Sequence, residues 1–171
     1  VLLSIKSKVE VLISVSANDI QNSKVRGDLG ITYENETLRL VDQFEKIGLR
    51  VCGCVITQYN NQPSVEAFKT KLNNLGIKSY IHYPIDGYPH NVEYILSEEG
   101  FGKNDYVETT RPIIIVTGPG PGSGKMATCL SQLYQESIRG IKAGYAKYET
   151  FPVWNLSIKD PVNLAYEAAT A

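Results

Sequence analysis

Cysteine is scarce in this chain of 171 residues: Cys52, Cys54 and Cys129 are all there is, an odd number that excludes a disulfide framework and fits a reducing compartment. Cytoplasm is the expected location. Long apolar runs are missing too. The longest, Val11 to Val15 and Ile113 to Val116, fall far below the roughly 20 residues a membrane-spanning helix needs. Neither charge sign dominates, with 17 Lys and Arg against 18 Asp and Glu and a formal net charge of -1. No electrostatic footprint for nucleic acid or an anionic membrane is therefore expected. The motifs H-E-x-x-H and G-x-S-x-G do not occur, which removes zincin proteases and serine hydrolases of that type. Cys52 and Cys54, two apart on a strand, are expected to share one face. Without a second ligand pair they read as packing residues, and no metal site is expected.

The beginning, Val1-Leu2-Leu3-Ser4-Ile5-Lys6, has no Met and no signal-peptide pattern. Leu2, Leu3 and Ile5 read as the tail of a helix, and Ala165 to Ala171 read as a helix cut short. The expectation is one α/β domain over residues 1–171, part of a longer polypeptide.

What is present is an alternation of strand-length apolar runs with amphipathic segments closed by glycine, the pattern of βα units around a parallel sheet. It predicts a Rossmann-like three-layer domain of about five mainly parallel strands with helices on both faces. The first strand is Val9 to Ser16. A polar loop with Asn18, Asp19, Arg26, Gly27, Asp28 and Gly30 follows, then a helix carrying Leu38, Val41, Phe44 and Ile47 and stopped by Gly48. The second strand is Arg50 to Gln58, followed by a helix with Val65, Phe68, Leu72 and Leu75 on one face and Gly76 at its end. The third is Lys78 to Tyr83, before a turn-rich stretch and a short helix around Val92, Ile95 and Leu96. Gly100 to Arg111 reads as a polar loop, the first place to look for a lid. Pro112 to Thr117, almost continuous Ile and Val, reads as the middle strand of the sheet, covered on both faces. Met126, Leu130, Leu133 and Ile138 outline a further helix, and Ile141 to Thr150 a fifth strand.

Chemistry concentrates in Thr117-Gly118-Pro119-Gly120-Pro121-Gly122-Ser123-Gly124-Lys125, set between a strand and a helix. Glycines let backbone N–H groups turn inward, a helix start adds unpaired N–H groups and a positive dipole end, and Lys125 adds a full charge. Gly120, Gly122, Ser123, Gly124 and Lys125 are thus the expected phosphate-binding residues, for a nucleotide or another small phosphorylated ligand. Against the pattern G-x-x-x-x-G-K-[ST], Pro119 stands at the first glycine and Met126 at the hydroxyl that would ligate Mg²⁺. Phosphate binding survives these departures, whereas nucleotide hydrolysis loses its metal ligand. A bland alternative is a tight turn with Lys125 in solvent. If the first and fourth strands are neighbours, Asn18, Asp19 and Arg26 approach the loop at a topological switch point. Strand ends also offer Thr57, Gln58, His82, Tyr83, Lys147 and Glu149. The candidates for catalysis are Asn18, Asp19, Arg26, Lys147 and Glu149, with turn formation the competing explanation for the first two. His82 reads as a hydrogen-bonded strand-end residue.

Longer strings carry a family likeness: Lys24-Val25-Arg26-Gly27-Asp28-Leu29-Gly30-Ile31-Thr32-Tyr33, His82-Tyr83-Pro84-Ile85-Asp86-Gly87-Tyr88-Pro89, and Pro119 to Leu130. Val55 to Tyr59, Glu108 to Pro112, Ala143 to Lys147, Phe151 to Leu156 and Asn163 to Ala171 extend it across nearly the whole chain. The sequence resembles the bacterial family called domain of unknown function 1846, the UPF0371 proteins. The resemblance implies a much longer protein, makes Pro119 and Met126 the family's own version of the loop, and implies no activity. Three functions compete: an enzyme domain binding a phosphorylated ligand, a divergent Mg²⁺-dependent NTPase or kinase, and a non-enzymatic scaffold. Self-association is expected, if anywhere, through regions beyond this chain.

Overall fold

The structure is a computed structural model that describes residues 2–147, 157, 159 and 160. Its centre is β1, Val9–Ser16, in which every residue is buried. Such a strand must have neighbours on both edges and layers on both faces. The edges are supplied in parallel by β4 (Arg50–Thr57) and β6 (Ile113–Thr117), and β5 (Ser79–Ile81) extends the sheet beyond β4 to give the order β5-β4-β1-β6. Between them, β2 (Val25–Arg26) and β3 (Ile31–Thr32) form a separate antiparallel ribbon.

Alternation along β1 divides the core. Val9, Val11, Ile13 and Val15 point to one face, where they meet Val41 of α2 (Tyr33–Lys46) and Val65, Phe68 and Leu72 of α3 (Pro63–Asn74), while α1 (Ala17–Gln21) adds Ile20. Leu12 points to the other face with Val55, Tyr80, Val107, Ile114 and Val116. Each helix starts where local chemistry allows. Thr32 caps α2 by accepting the Asn35 N–H at 3.3 Å, and Pro63 opens α3 where its missing N–H costs nothing. The short α4, Val92–Ile95, follows a similar cap at Asn91.

On the second face, the segment after α4 packs inward through Phe101 and Val107 and is held by α5 (Lys125–Ile138). Gln132 bonds both the N–H and the carbonyl of Val107, at 3.2 and 3.0 Å, and Gln135 donates to the carbonyls of Phe101 and Asn104. Gly100 to Arg111 is therefore part of the packed layer and not a lid. Among its polar side chains, Asn104 and Tyr106 bond to Ser131 and Glu136 of α5.

Three further expectations are corrected. Pro112 to Thr117 was expected in mid-sheet, but β6 is an edge among the described residues, with Ile113 41% exposed. Composition reports how much cover a strand needs, whereas its place in the order depends on which way the chain crosses over. Cys52 and Cys54 lie on opposite faces, in different core clusters. A register shift pairs Val11 with Val51 but Leu12 with Gly53, and the extra residue flips the alternation. Residues 141–147 form no strand, and the rest of the predicted fifth strand lies outside the described residues, as do Trp154 and the predicted terminal helix. No helix among the described residues is long and apolar enough to cross a membrane.

Candidate functional site

Strands β1 and β6 are neighbours, with Val9 to Ile13 in register with Ile113 to Thr117. The chain leaves β1 toward β4 on one side while β6 lies on the other, which makes their carboxyl ends a topological switch point, the place where open α/β sheets bind ligands. The glycine-rich loop follows β6 at that end of the sheet. Its shape depends on close approaches that only glycine allows. A Cβ on Gly118 would strike the Ser14 carbonyl, and one on Gly120 would strike the Tyr33 hydroxyl. Gly124, at φ +80, presses against the Thr57 side chain, whose Oγ1 donates to the Ser123 carbonyl at 3.1 Å.

Inside the loop, donors converge on one oxygen. The Gly120 carbonyl accepts from Ser123 Oγ at 2.6 Å and from Lys125 Nζ at 2.9 Å. Lys125 is partly buried, and that burial lowers its pKa below the usual lysine value. A second cation arrives from the β2–β3 ribbon. Arg26 donates Nη1 to Glu36 Oε1 at 2.8 Å and reaches the Pro119 carbonyl at 3.4 Å, while its other donors hold Asp28. Glu36 is wholly buried and also takes two bonds from Arg39. Its charge is committed to two arginines and is not free to repel an anion above the loop.

The remaining candidates disperse. Asn18 accepts from Gln62 at the start of α3 at 2.8 Å, and Asp19 pairs with Lys24 at 3.2 Å. Lys24 in turn sits 4.6 Å over the Tyr33 ring. Gln58, at the end of β4, has a φ of 56, an uncommon conformation for a residue with a Cβ, and meets Ser16 Oγ at 3.1 Å. Lys147 is exposed in a stretch without regular structure, and Glu149 lies outside the described residues. Tyr33, Glu36 and Arg39 were not anticipated. The available signal was Arg26 in the run Lys24, Arg26, Asp28, whose second carboxylate partner, Glu36, comes from the next helix. No group of three His, Cys, Asp or Glu side chains placed to hold a metal occurs among the described residues. A separate open groove of about 450 Å³ at the start of β5 is lined by Lys78, Tyr80 and Glu108, but Lys78 and Glu108 neutralise each other at 2.5 Å.

His82 lies at the end of β5, buried, with Nε2 3.1 Å from the Asp105 carbonyl. Burial pushes its pKa down from 6.5 to about 4, so the folded protein holds it neutral. An unfolded chain binds the proton first as pH falls, so His82 lowers stability between pH 6.5 and about 4, by about 1.4 kcal/mol per pH unit within that window. Denaturant melts of His82→Gln should show a shallower acid slope over this range than the unsubstituted protein. Equal slopes would remove His82 as the cause.

The family model described as Domain of unknown function DUF1846, N-terminal, matches residues 1–171. A UPF0371 protein of Streptococcus pyogenes serotype M5 (strain Manfredo) is 58% identical over 170 residues, which are 99% of this chain and 34% of that protein. A UPF0371 protein of Streptococcus pneumoniae (strain CGSP14) matches at the same identity and over the same shares. The chain thus spans about a third of the length of these curated relatives. With a match along its whole length and relatives at this identity, the chain belongs to the DUF1846 family.

Proposed function

We propose that the loop from Gly118 to Lys125 binds the phosphate group of a small phosphorylated ligand, a nucleotide included, and that the domain serves an enzyme acting on that ligand. The observation that carries this reading is Lys125: a partly buried ammonium with no acidic neighbour among the described residues, bonded to a loop carbonyl in a loop of glycines. A phosphate oxygen is a stronger acceptor for that ammonium than a neutral carbonyl. The loop ends at the N-terminus of α5, where unpaired N–H groups favour an anion, and Arg26, paired with Asp28 and Glu36, reaches the Pro119 carbonyl of the loop. Met126 leaves no hydroxyl for Mg²⁺ beside Lys125, so binding is expected to persist in chelator.

The test is a thermal-shift screen of the full-length protein against nucleotides, sugar phosphates and coenzymes, with Mg²⁺ and with chelator. A ligand at about 100 times its Kd adds roughly 2.7 kcal/mol of stability, a readily seen shift. Lys125→Ala removes a charge-assisted bond of about 1.5–3 kcal/mol, so affinity should fall roughly ten- to a hundredfold or more. Affinity that is the same in both proteins would refute the assignment of Lys125.

A further inference from the structure

α5 is amphipathic in reverse. Its buried residues are Thr128, Ser131, Gln135 and Glu136, the last three of which bond to the Phe101–Val107 layer, whereas Met126, Leu130, Leu133 and Ser137 recur at the spacing of one outward stripe. Met126 is 46% exposed, and Leu130 and Leu133 are only partly covered. A helix at a solvent boundary carries charge on its outer face. Between Lys125 and Arg139 the one charged residue is Glu136, and it points inward to Tyr106 and Gln132. The stripe carries no charge, and Ser137 is its one polar residue.

Strand β6, against which α5 packs, has the same imbalance. It pairs with β1 along one edge, and among the described residues the other edge has no partner. Exposed edges are ordinarily blunted by charge, proline or a bulge within the strand. Ile113-Ile114-Ile115-Val116-Thr117 has none of these, and each of the five residues is left at least partly exposed. An uncharged helix stripe beside an unprotected apolar edge marks an interaction surface, not a finished exterior.

We infer that this surface seats a segment of the longer family polypeptide from outside these 171 residues, which adds a strand along β6 and lays apolar side chains on the α5 stripe. The relatives' length argues for this occupant: roughly two thirds of each of those proteins lies beyond the matched region. A segment tethered to the same chain docks at a high effective concentration and gives up little translational freedom, an advantage that a second copy lacks.

The experiment is site-specific photo-crosslinking in the purified full-length protein. Ser137, polar and exposed on the stripe, is replaced by p-benzoylphenylalanine, and protein made in light and heavy nitrogen isotopes is mixed before irradiation. The expected product joins the residue-137 peptide to a peptide outside the 171 residues, always of the same isotope. Mixed-isotope products would establish a second copy as the occupant, a product confined to the 171 residues would establish this chain's own residues, and no product would leave the stripe bare; each overturns the inference. Amide exchange in the unsubstituted full-length protein gives an independent reading. Consecutive amides from Ile113 to Thr117 should all be protected, whereas fast exchange at every second position, as in a bare edge, would also overturn it.

Discussion

Replacing Arg26 and Arg39 together by alanine is expected to destabilise the fold by about 3–5 kcal/mol, the cost of leaving a buried carboxylate with no cation. Glu36 is 0% exposed, and its Oε1 accepts from Arg26 at 2.8 Å and from Arg39 at 2.9 Å, while Oε2 accepts from Arg39 at 2.6 Å. Either arginine alone leaves Glu36 a charge-assisted bond, and both guanidinium groups are a third or more exposed, so solvent already weakens each pair. Each single replacement should therefore cost much less than the double replacement. The diagnostic result is non-additivity in denaturant titrations, with the double variant losing more than the two singles combined. Strict additivity would show that Glu36 finds other stabilisation. Under the proposed phosphate-binding function, Arg26→Ala should also weaken phospholigand binding, because Arg26 reaches the Pro119 carbonyl of the loop, whereas Arg39→Ala should not.

Gly124→Ala is the second large expected effect, a loss of roughly 2–5 kcal/mol made of two parts. A residue with a Cβ pays about 1–2 kcal/mol in the left-handed region, and overpacking a close contact adds about 1–3 kcal/mol. Both apply, since Gly124 has φ +80 and an added Cβ would lie 2.6 Å from Thr57 Oγ1 and 2.7 Å from its Cγ2. Gly122→Ala separates the parts. Its φ of +78 is nearly the same, but nothing lies within 4 Å of an added Cβ. Gly122→Ala should then cost the conformational part alone, and the difference between the two variants measures the pressure of the loop on β4. Equal melting temperatures for the two variants would mean that Thr57 yields freely.

How far the sequence could be read is clearest in particular elements. Val9 to Ser16 was legible as a strand because eight consecutive residues of strand composition admit few alternatives, and the helix of Val65, Phe68 and Leu72 because its period is local. The place of the loop between a strand and a helix was legible because its glycines interrupt both patterns. The bulge at Cys52 was not, since a single extra residue leaves no trace in composition and shows only against the partner strand. Nor was the inward turn of Gln132 and Gln135, for a polar residue reads as solvent-facing until its acceptors are known. Asn18 and Asp19 were placed at the right edge of the sheet, but their bonds go to Gln62 and Lys24.

What the sequence determined by itself is whatever depends on neighbours along the chain: the alternation that makes a parallel α/β sheet, the glycines that bend the loop, and the lysine that ends it. Only the tertiary structure decided that β6 stands at an edge, that Tyr33 and Thr57 press on the loop from either side, and that Glu36 gathers two arginines beside it. The physical reason is that backbone preferences act over a few residues, whereas packing and hydrogen-bond partners are chosen across tens of residues by the way the strands cross over.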